Sequence, residues 1–191
     1  MTREAPGPTG RLTFRELRSD DLPACLAWRN DPDVAETLST LAVSATELEL
    51  WFAQNQRSPA ANFFAIELGG ELIGYVGLRD IDWESRVGTL DITIGRKDLW
   101  NQGFGTEATS AIVRWGFEAL GLDRIELTVL PFNERGVRCY EKVGFKRTGV
   151  TNQRFLRRGR LWHPLRMTLT QARYELAQKA LWDGNRDQDL G

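Results

Sequence analysis

The sequence is poor in the residues that hold metals and staple small folds. It has one histidine, His163, and two cysteines, Cys25 and Cys139, which form no CxxC pair. A zinc site drawn from His and Cys therefore lacks ligands, so no metal is expected. Two cysteines do not make a disulfide scaffold either. Neither sign of charge dominates: 25 Lys and Arg face 26 Asp and Glu, for a formal net charge of -1. That balance gives no support to nucleic-acid binding. No run approaches the roughly 18 apolar residues of a membrane span. The opening "MTREAPGPTG" has no apolar region of the kind a secretory signal carries. The expectation is a cytoplasmic protein with no membrane partner.

The 191 residues are 41% hydrophobic and 27% charged, the mix of one globular domain that builds its own core. "RLTFREL" alternates apolar and polar residues and predicts a strand with Leu12, Phe14 and Leu17 inward. "SDDLPACLAWRN" predicts a helix capped by Ser19 or Asp20, with Leu22, Cys25, Leu26 and Trp28 on its inner face. Ser44 and Glu47 form a capping box before "ATELELWFAQNQ", whose buried stripe is Leu48, Trp51 and Phe52. Two apolar strands flank Gly69-Gly70 as a hairpin, and "RVGTLDITIG" adds a third strand to this meander. A helix over about 103–121 follows, with Ala108, Ala111, Ile112, Trp115 and Ala119 at helical spacing. "DRIELTVLP" reads as a strand parallel to the one before the helix. "NERGVRCYEKV" is a short helix ending at Gly144. "GFKRTGVTNQRFLRRGRLWHPLRMTLT" predicts two more strands turning at Arg158-Gly159. "QARYELAQKALW" predicts a last helix packed through Tyr174, Leu176 and Leu181. The order defines an α+β domain with one central mixed sheet, mostly antiparallel and flanked by helices. Two segments, about 30–45 and 79–86, carry no readable motif.

The stretch "WNQGFGTEATSAIVRWGFEAL" sets Gly103 and Gly105 at a helix start. Such a terminus carries unpaired N–H groups and partial positive charge, and glycine lets a bulky anion approach the backbone. Gly103, Gly105 and Ala108 also satisfy the dinucleotide fingerprint G-x-G-x-x-A, with Glu126 at the ribose-binding spacing. The context is wrong for that reading. The polar link "RKDLWNQ" separates strand from glycines, the strands before it are an antiparallel meander, and Glu126 falls inside a strand. A phosphate loop of the Walker type would need Gly-Lys-Ser/Thr, which is missing.

"LDITIGRKDLWNQGFGTEA" followed by "NERGVRCYEKVGF" resembles the GNAT N-acetyltransferases. With "WRNDPDV" it looks most like the ribosomal-protein N-terminal acetyltransferase branch (RimJ/RimL type). The resemblance spans about residues 11–170, leaving 171–191 as a C-terminal helix and tail. It implies acetyl-CoA as acetyl donor and a primary amine, a protein N-terminus or a small molecule, as acceptor. It implies that the N–H groups of Asn101, Gln102, Gly103, Phe104, Gly105 and Thr106 hold the pyrophosphate. It also sets Ile92, Thr93 and Ile94 beside the pantetheine arm and Asn133 on coenzyme A. Trp100 departs from the family pattern, which has Gln or Arg there, so a side-chain contact from that position is lost. Members of this branch pair as homodimers.

Making an amide from a thioester requires a deprotonated amine, a donor for the developing oxyanion and a proton for the departing thiolate. The resemblance gives the last role to Tyr140, whose phenol is protonated at neutral pH; packing beside Phe145 is its plainer role. For the base, Asp91 stands beside Glu67, Asp82 and Glu84. Strand alternation puts Asp91 on one face with Thr93, opposite Ile92 and Ile94. His163 is a lesser candidate, and Cys139 reads as a buried filler. Arg154, Arg157, Arg158 and Arg160 form a solvated rim or an anion-attracting hairpin. Trp28, Trp51, Trp115 and Trp182 fit packing roles, whereas Trp83, in a charged loop, is the candidate for substrate contact. Two rival functions remain: a coenzyme A-binding module without catalysis, and a nucleotide-dependent oxidoreductase.

Overall fold

A computed structural model describes residues 4–38, 43–157 and 159–186, with side chains through 179. Strand β1 (Leu12–Glu16) leads through a 3-10 turn (Ser19–Asp21) into α1 (Leu22–Asn30), α2 (Pro32–Thr37) and α3 (Ala45–Arg57). The meander is β2 (Asn62–Leu68), β3 (Glu71–Asp82) and β4 (Val87–Ile94). Helix α4 (Phe104–Glu118), β5 (Arg124–Val129) and α5 (Glu134–Val143) follow. The chain closes with β6 (Lys146–Val150), β7 (Phe155–Arg157), β8 (Arg160–Trp162), β9 (Leu165–Thr170) and α6 (Gln171–Arg186).

Seven strands make one sheet in the order β1-β2-β3-β4-β5-β9-β6. All neighbours are antiparallel except β4 and β5. That exception positions the site. The parallel register runs only from Val87↔Arg124 to Thr89↔Glu126. Beyond it, Leu90 to Ile94 of β4 have no partner on β5, so the sheet opens into a gap.

Each face of the sheet has its own core. On one, α4 buries Phe104, Ala108, Ile112, Val113, Trp115 and Phe117 against Val76, Leu78, Ile125 and Leu127. Each large side chain contributes roughly 1.5–3 kcal/mol when fully withdrawn from water. The helix lies close to the strands because residue 116 is glycine. A Cβ there would stand 2.9 Å from the Cδ1 atoms of both Ile125 and Leu78. On the other face, α1 and α3 cover Leu17, Cys25, Leu48, Ala65 and Tyr75.

Several local expectations hold. Ser44 accepts from the Glu47 N–H while the Glu47 carboxylate accepts from the Ser44 N–H, so the capping box is formed. Gly144 ends α5 in the left-handed region, and the structure adds that Asn133 caps its start. Others need correction. Neither Ser19 nor Asp20 caps α1. The buried carboxylate of Asp21 instead accepts from the Arg18 N–H at 2.8 Å and from both terminal nitrogens of Arg15. The last sheet region holds four strands rather than two: β6 and β9 pair in the main sheet, and β7 and β8 form a separate hairpin. Arg158, at the tip of that hairpin, lies outside the described residues. Ala119 is exposed, because α4 ends one residue earlier. In α6, Tyr174 packs on Phe117 with ring centroids 5.3 Å apart, but Leu176 is 69% exposed. The side chains of Leu181 and Trp182 lie outside the described residues. Within the segment that carried no readable motif, Asp31 caps α2 by accepting from the N–H groups of Asp33 and Val34. Among the described residues, no helix is long and apolar enough to cross a membrane.

Candidate active site

The gap between β4 and β5 becomes a cleft of ≈ 390 Å³, walled by α4 and α5 on one face and by α1 and α2 on the other. The loop before α4 forms its phosphate-sized end. Asn101 (φ 62°) and Gly103 (φ 87°) both adopt left-handed backbone, which an asparagine tolerates and a glycine takes freely. The first helical bond runs from the Glu107 N–H to the Gly103 carbonyl, and no side chain caps the helix. The N–H groups of Phe104, Gly105 and Thr106 therefore precede the ladder, at the positive end of the helix dipole. The loop is braced from behind. Arg11 donates to the Gln102 carbonyl at 3.1 Å and stacks 4.1 Å from the Phe104 ring centroid, while its guanidinium and backbone N–H both bond Glu107.

Asn101, Gly103, Phe104, Gly105 and Thr106 all line the cleft, as do Ile92, Thr93, Ile94 and Asn133. Gln102 does not. Its side-chain amide turns back to donate to the Asp98 carbonyl at 2.7 Å. Asn133 reaches both ways: its Oδ1 accepts from the Gly136 N–H, and its Nδ2 donates to the Thr37 carbonyl at 3.4 Å. It thus ties the head of α5 to the end of α2 across the cleft. Trp100 donates its indole N–H to the Ile94 carbonyl at 2.8 Å, closing the end of β4.

Tyr140 and Asp91 open into this cleft from opposite faces. The Tyr140 ring belongs to the α4 side and meets Phe145 edge-on at 6.1 Å between centroids. Its hydroxyl bonds no described residue. Burial pushes that hydroxyl above the ordinary tyrosine range, and the acidic neighbours Cys139 and Asp91 add to the effect. Asp91 lies opposite Gly77 in β3, on the face of Thr93 and Tyr75, where Arg79 approaches it at 3.5 Å. Beside it Arg29, only 9% exposed, donates to the Tyr75 hydroxyl at 3.2 Å. Burial pushes Tyr75 up to about 12.

The other candidate acids are elsewhere. Glu67 pairs with Arg15 at 2.7 Å. Asp82 folds the β3–β4 turn by accepting from the N–H groups of Glu84 and Ser85. His163 is exposed, with its Nδ1 3.0 Å from the Thr151 carbonyl. Glu67, Asp82, Glu84, His163, Arg154, Arg157, Arg160 and Trp83 are all absent from the cleft lining. Glu126, the acid of the dinucleotide fingerprint, pairs with Arg124 inside β5. Cys139 is more than filler: half-buried between α4 and α5, it lines the cleft 3.8 Å from the Thr109 hydroxyl, and burial raises its thiol.

Five lining cations were missed: Arg29, Arg79, Arg135, Arg138 and Lys142. Arg29 had a signal, since positions 22, 25, 26 and 29 share one helix face and the last carries a charge. A charge on an inward stripe marks a place where the interior opens.

A sheet split between two parallel strands, with an uncapped glycine-started helix at one end of the split and a half-buried phenol inside it, is the arrangement that the acetyltransferase resemblance implies. Residues 11–146 match the acetyltransferase (GNAT) domain family, and the chain belongs to it. Acetyl-CoA is the acetyl donor of this family. The chain is 27% identical over 172 residues to an uncharacterized N-acetyltransferase, p20, of Bacillus licheniformis, covering 87% of this chain and 96% of that one. It is 30% identical over 156 residues to an aminoglycoside N(6')-acetyltransferase type 1 of Klebsiella pneumoniae, covering 73% and 76%. The crystal structure of spermidine N-acetyltransferase from Vibrio cholerae, in complex with CoA and spermine, superposes with a TM-score of 0.79 at 27% identity, over 87% of this chain and 99% of that one.

Proposed function

We propose that this N-acetyltransferase moves the acetyl group of acetyl-CoA directly onto a primary amine, with Tyr140 as proton donor and Asp91 as the group that receives the amine. One observation carries the reading: Tyr140 and Asp91 reach a single cleft from opposite faces of the split sheet. Two substrates can thus enter from different sides and meet in the gap. Bound acetyl-CoA supplies an activated thioester. The N–H groups of the loop before α4 hold its phosphates, and Ile92, Thr93 and Ile94 lie along its arm. Asp91 attracts the ammonium and takes its proton, directly or through a water. The nitrogen–carbon bond forms, the carbon–sulfur bond breaks, the Tyr140 hydroxyl gives its proton to the departing sulfur, and the second proton that the nitrogen sheds on becoming an amide restores the phenol through water. No covalent acyl-enzyme is needed, because Cys139 has a raised pKa and its hydrogen-bond partners among the described residues are the hydroxyls of Thr106 and Thr109.

For the acceptor, the relatives named above favour a small-molecule amine. The reading as a member of the RimJ/RimL-type branch rests on "WRNDPDV" together with the two motifs, and it keeps a protein N-terminus as the second acceptor class. The test is thiol release from acetyl-CoA with a panel holding spermidine, an aminoglycoside, amino acids and short peptides with free N-termini. Turnover with at least one amine is expected. Thermal stabilisation by acetyl-CoA without release of thiol to any amine would favour the non-catalytic coenzyme-binding module instead.

A further inference from the structure

Trp100 stands where the resemblance has Gln or Arg, and the structure shows what replaces that side chain. The indole is fixed by its N–H bond to the Ile94 carbonyl. The Arg135 guanidinium, from the first turn of α5, lies over the ring with its Cζ 3.5 Å from the centroid. Both residues line the cleft with Asn101, Gly103, Gly105 and Thr106.

The charge on Arg135 is unanswered. Arg79 has Asp91, and Arg138 has Glu134 at 3.1 Å. The Arg135 guanidinium makes neither a hydrogen bond nor an ion pair with any described residue. Burial alone acts on its pKa, and lowers it. A half-buried cation without an anion is unfavourable unless a ligand brings one. Contact with the ring through Cζ leaves the N–H donors of the guanidinium without a hydrogen-bond partner among the described residues. That planar fork matches the oxygens of a phosphate.

We propose that Arg135, carried on the Trp100 ring, is a phosphate-binding group for coenzyme A. It would supply from α5 the side-chain contact that the loop before α4 has lost. Trp100 is then the platform that orients the cation. This rests on the coenzyme A reading and adds to it a cross-cleft contact joining α5 to the phosphate loop.

The test is calorimetric binding of coenzyme A, dephospho-coenzyme A and pantetheine to the wild-type protein and to Arg135→Ala, Arg135→Lys, Trp100→Phe and Trp100→Leu. Arg135→Ala should weaken coenzyme A about ten- to hundredfold, the weight of a charge-assisted hydrogen bond. Pantetheine, which has no phosphate, should change less than about twofold. Arg135→Lys should recover part of the loss, and Trp100→Leu should cost more than Trp100→Phe, which keeps a ring under the guanidinium. A penalty kept with dephospho-coenzyme A assigns the contact to the pyrophosphate. A penalty lost with it assigns the contact to the ribose 3′-phosphate. Equal losses for coenzyme A and pantetheine, or no loss with either, would overturn the proposal. Failure of the wild-type protein to bind coenzyme A would instead overturn the reading on which it rests.

Discussion

Replacing Tyr140 by phenylalanine separates chemistry from packing, because the structure makes the two roles distinct. The ring packs edge-on against Phe145, and a phenylalanine keeps that contact. The hydroxyl bonds no described residue, so its removal orphans no protein partner. Stability should therefore change by less than about 0.5 kcal/mol, which for a chain of this length is a melting shift of roughly 1–2 °C. The hydroxyl as proton donor should matter far more. General acid catalysis is worth about 10²–10⁴ in rate, or roughly 2.7–5.5 kcal/mol of barrier. We expect kcat to fall by that factor while the KM for acetyl-CoA stays within about twofold. Burial holds the phenol above its ordinary value, near 10 in free tyrosine, so this acid should impose no falling limb on the wild-type rate below about pH 10. Steady-state thiol release from pH 6 to 10, with a thermal melt of each variant, decides the matter. A kcat within threefold of wild type, or matched losses in kcat and coenzyme affinity, would refute the acid role and leave Tyr140 as a packing residue.

Asp91→Asn should lower kcat/KM for the amine by at least about tenfold, leaving coenzyme A affinity unchanged, as paired calorimetry and amine titrations would show. For Asp21, burial raises the carboxyl pKa, but the hydrogen bonds from Arg15 and the Arg18 N–H outweigh it and hold the group below its ordinary value. Its stabilisation is thus fully present above the ordinary carboxylate range and is lost as pH falls through the lowered folded value. Asp21→Asn should cost about 1–3 kcal/mol in urea denaturation at pH 7, and the two proteins should converge toward pH 2; a gap that widens in acid would contradict this. Gly116→Ala should lower the melting temperature by about 2–4 °C, since crowding against Ile125 and Leu78 exceeds the gain in helix propensity; a rise would show that α4 has room to move.

Much of this molecule is legible along the chain, where the physics is local. Ser44 with Glu47, Asn133 with Gly136, and the glycine pair at 69–70 act within a few residues, so caps and turns fall where the sequence places them. The stripe through Ala108, Ile112 and Trp115 shows its buried face by spacing alone. Asp31 before Pro32 was equally local, a capping residue ahead of a proline at the first helical position, and that pair marks α2. Local pattern misleads where burial depends on a neighbour. Leu176 has helical spacing but stays exposed, and Trp83 lies in a charged turn and does not line the cleft.

The sequence by itself determined most of the order of elements and the glycine-started helix, because hydrogen-bonded periodicity and backbone permissiveness reside in neighbouring residues, while its two motifs signalled a coenzyme A-dependent transfer through their resemblance to a family. Only the tertiary structure decided that β4 and β5 part company after Thr89 and Glu126, and with that gap everything else about the site follows. Of the four candidate acids it set only Asp91 in the cleft lining, and it turned Gln102 out of the cleft and brought Arg29, Arg79 and Arg135 in. Strand separation, and contacts such as Arg29 with Tyr75 and Arg135 with Trp100, join chain segments tens of residues apart, and no short window of sequence contains both partners.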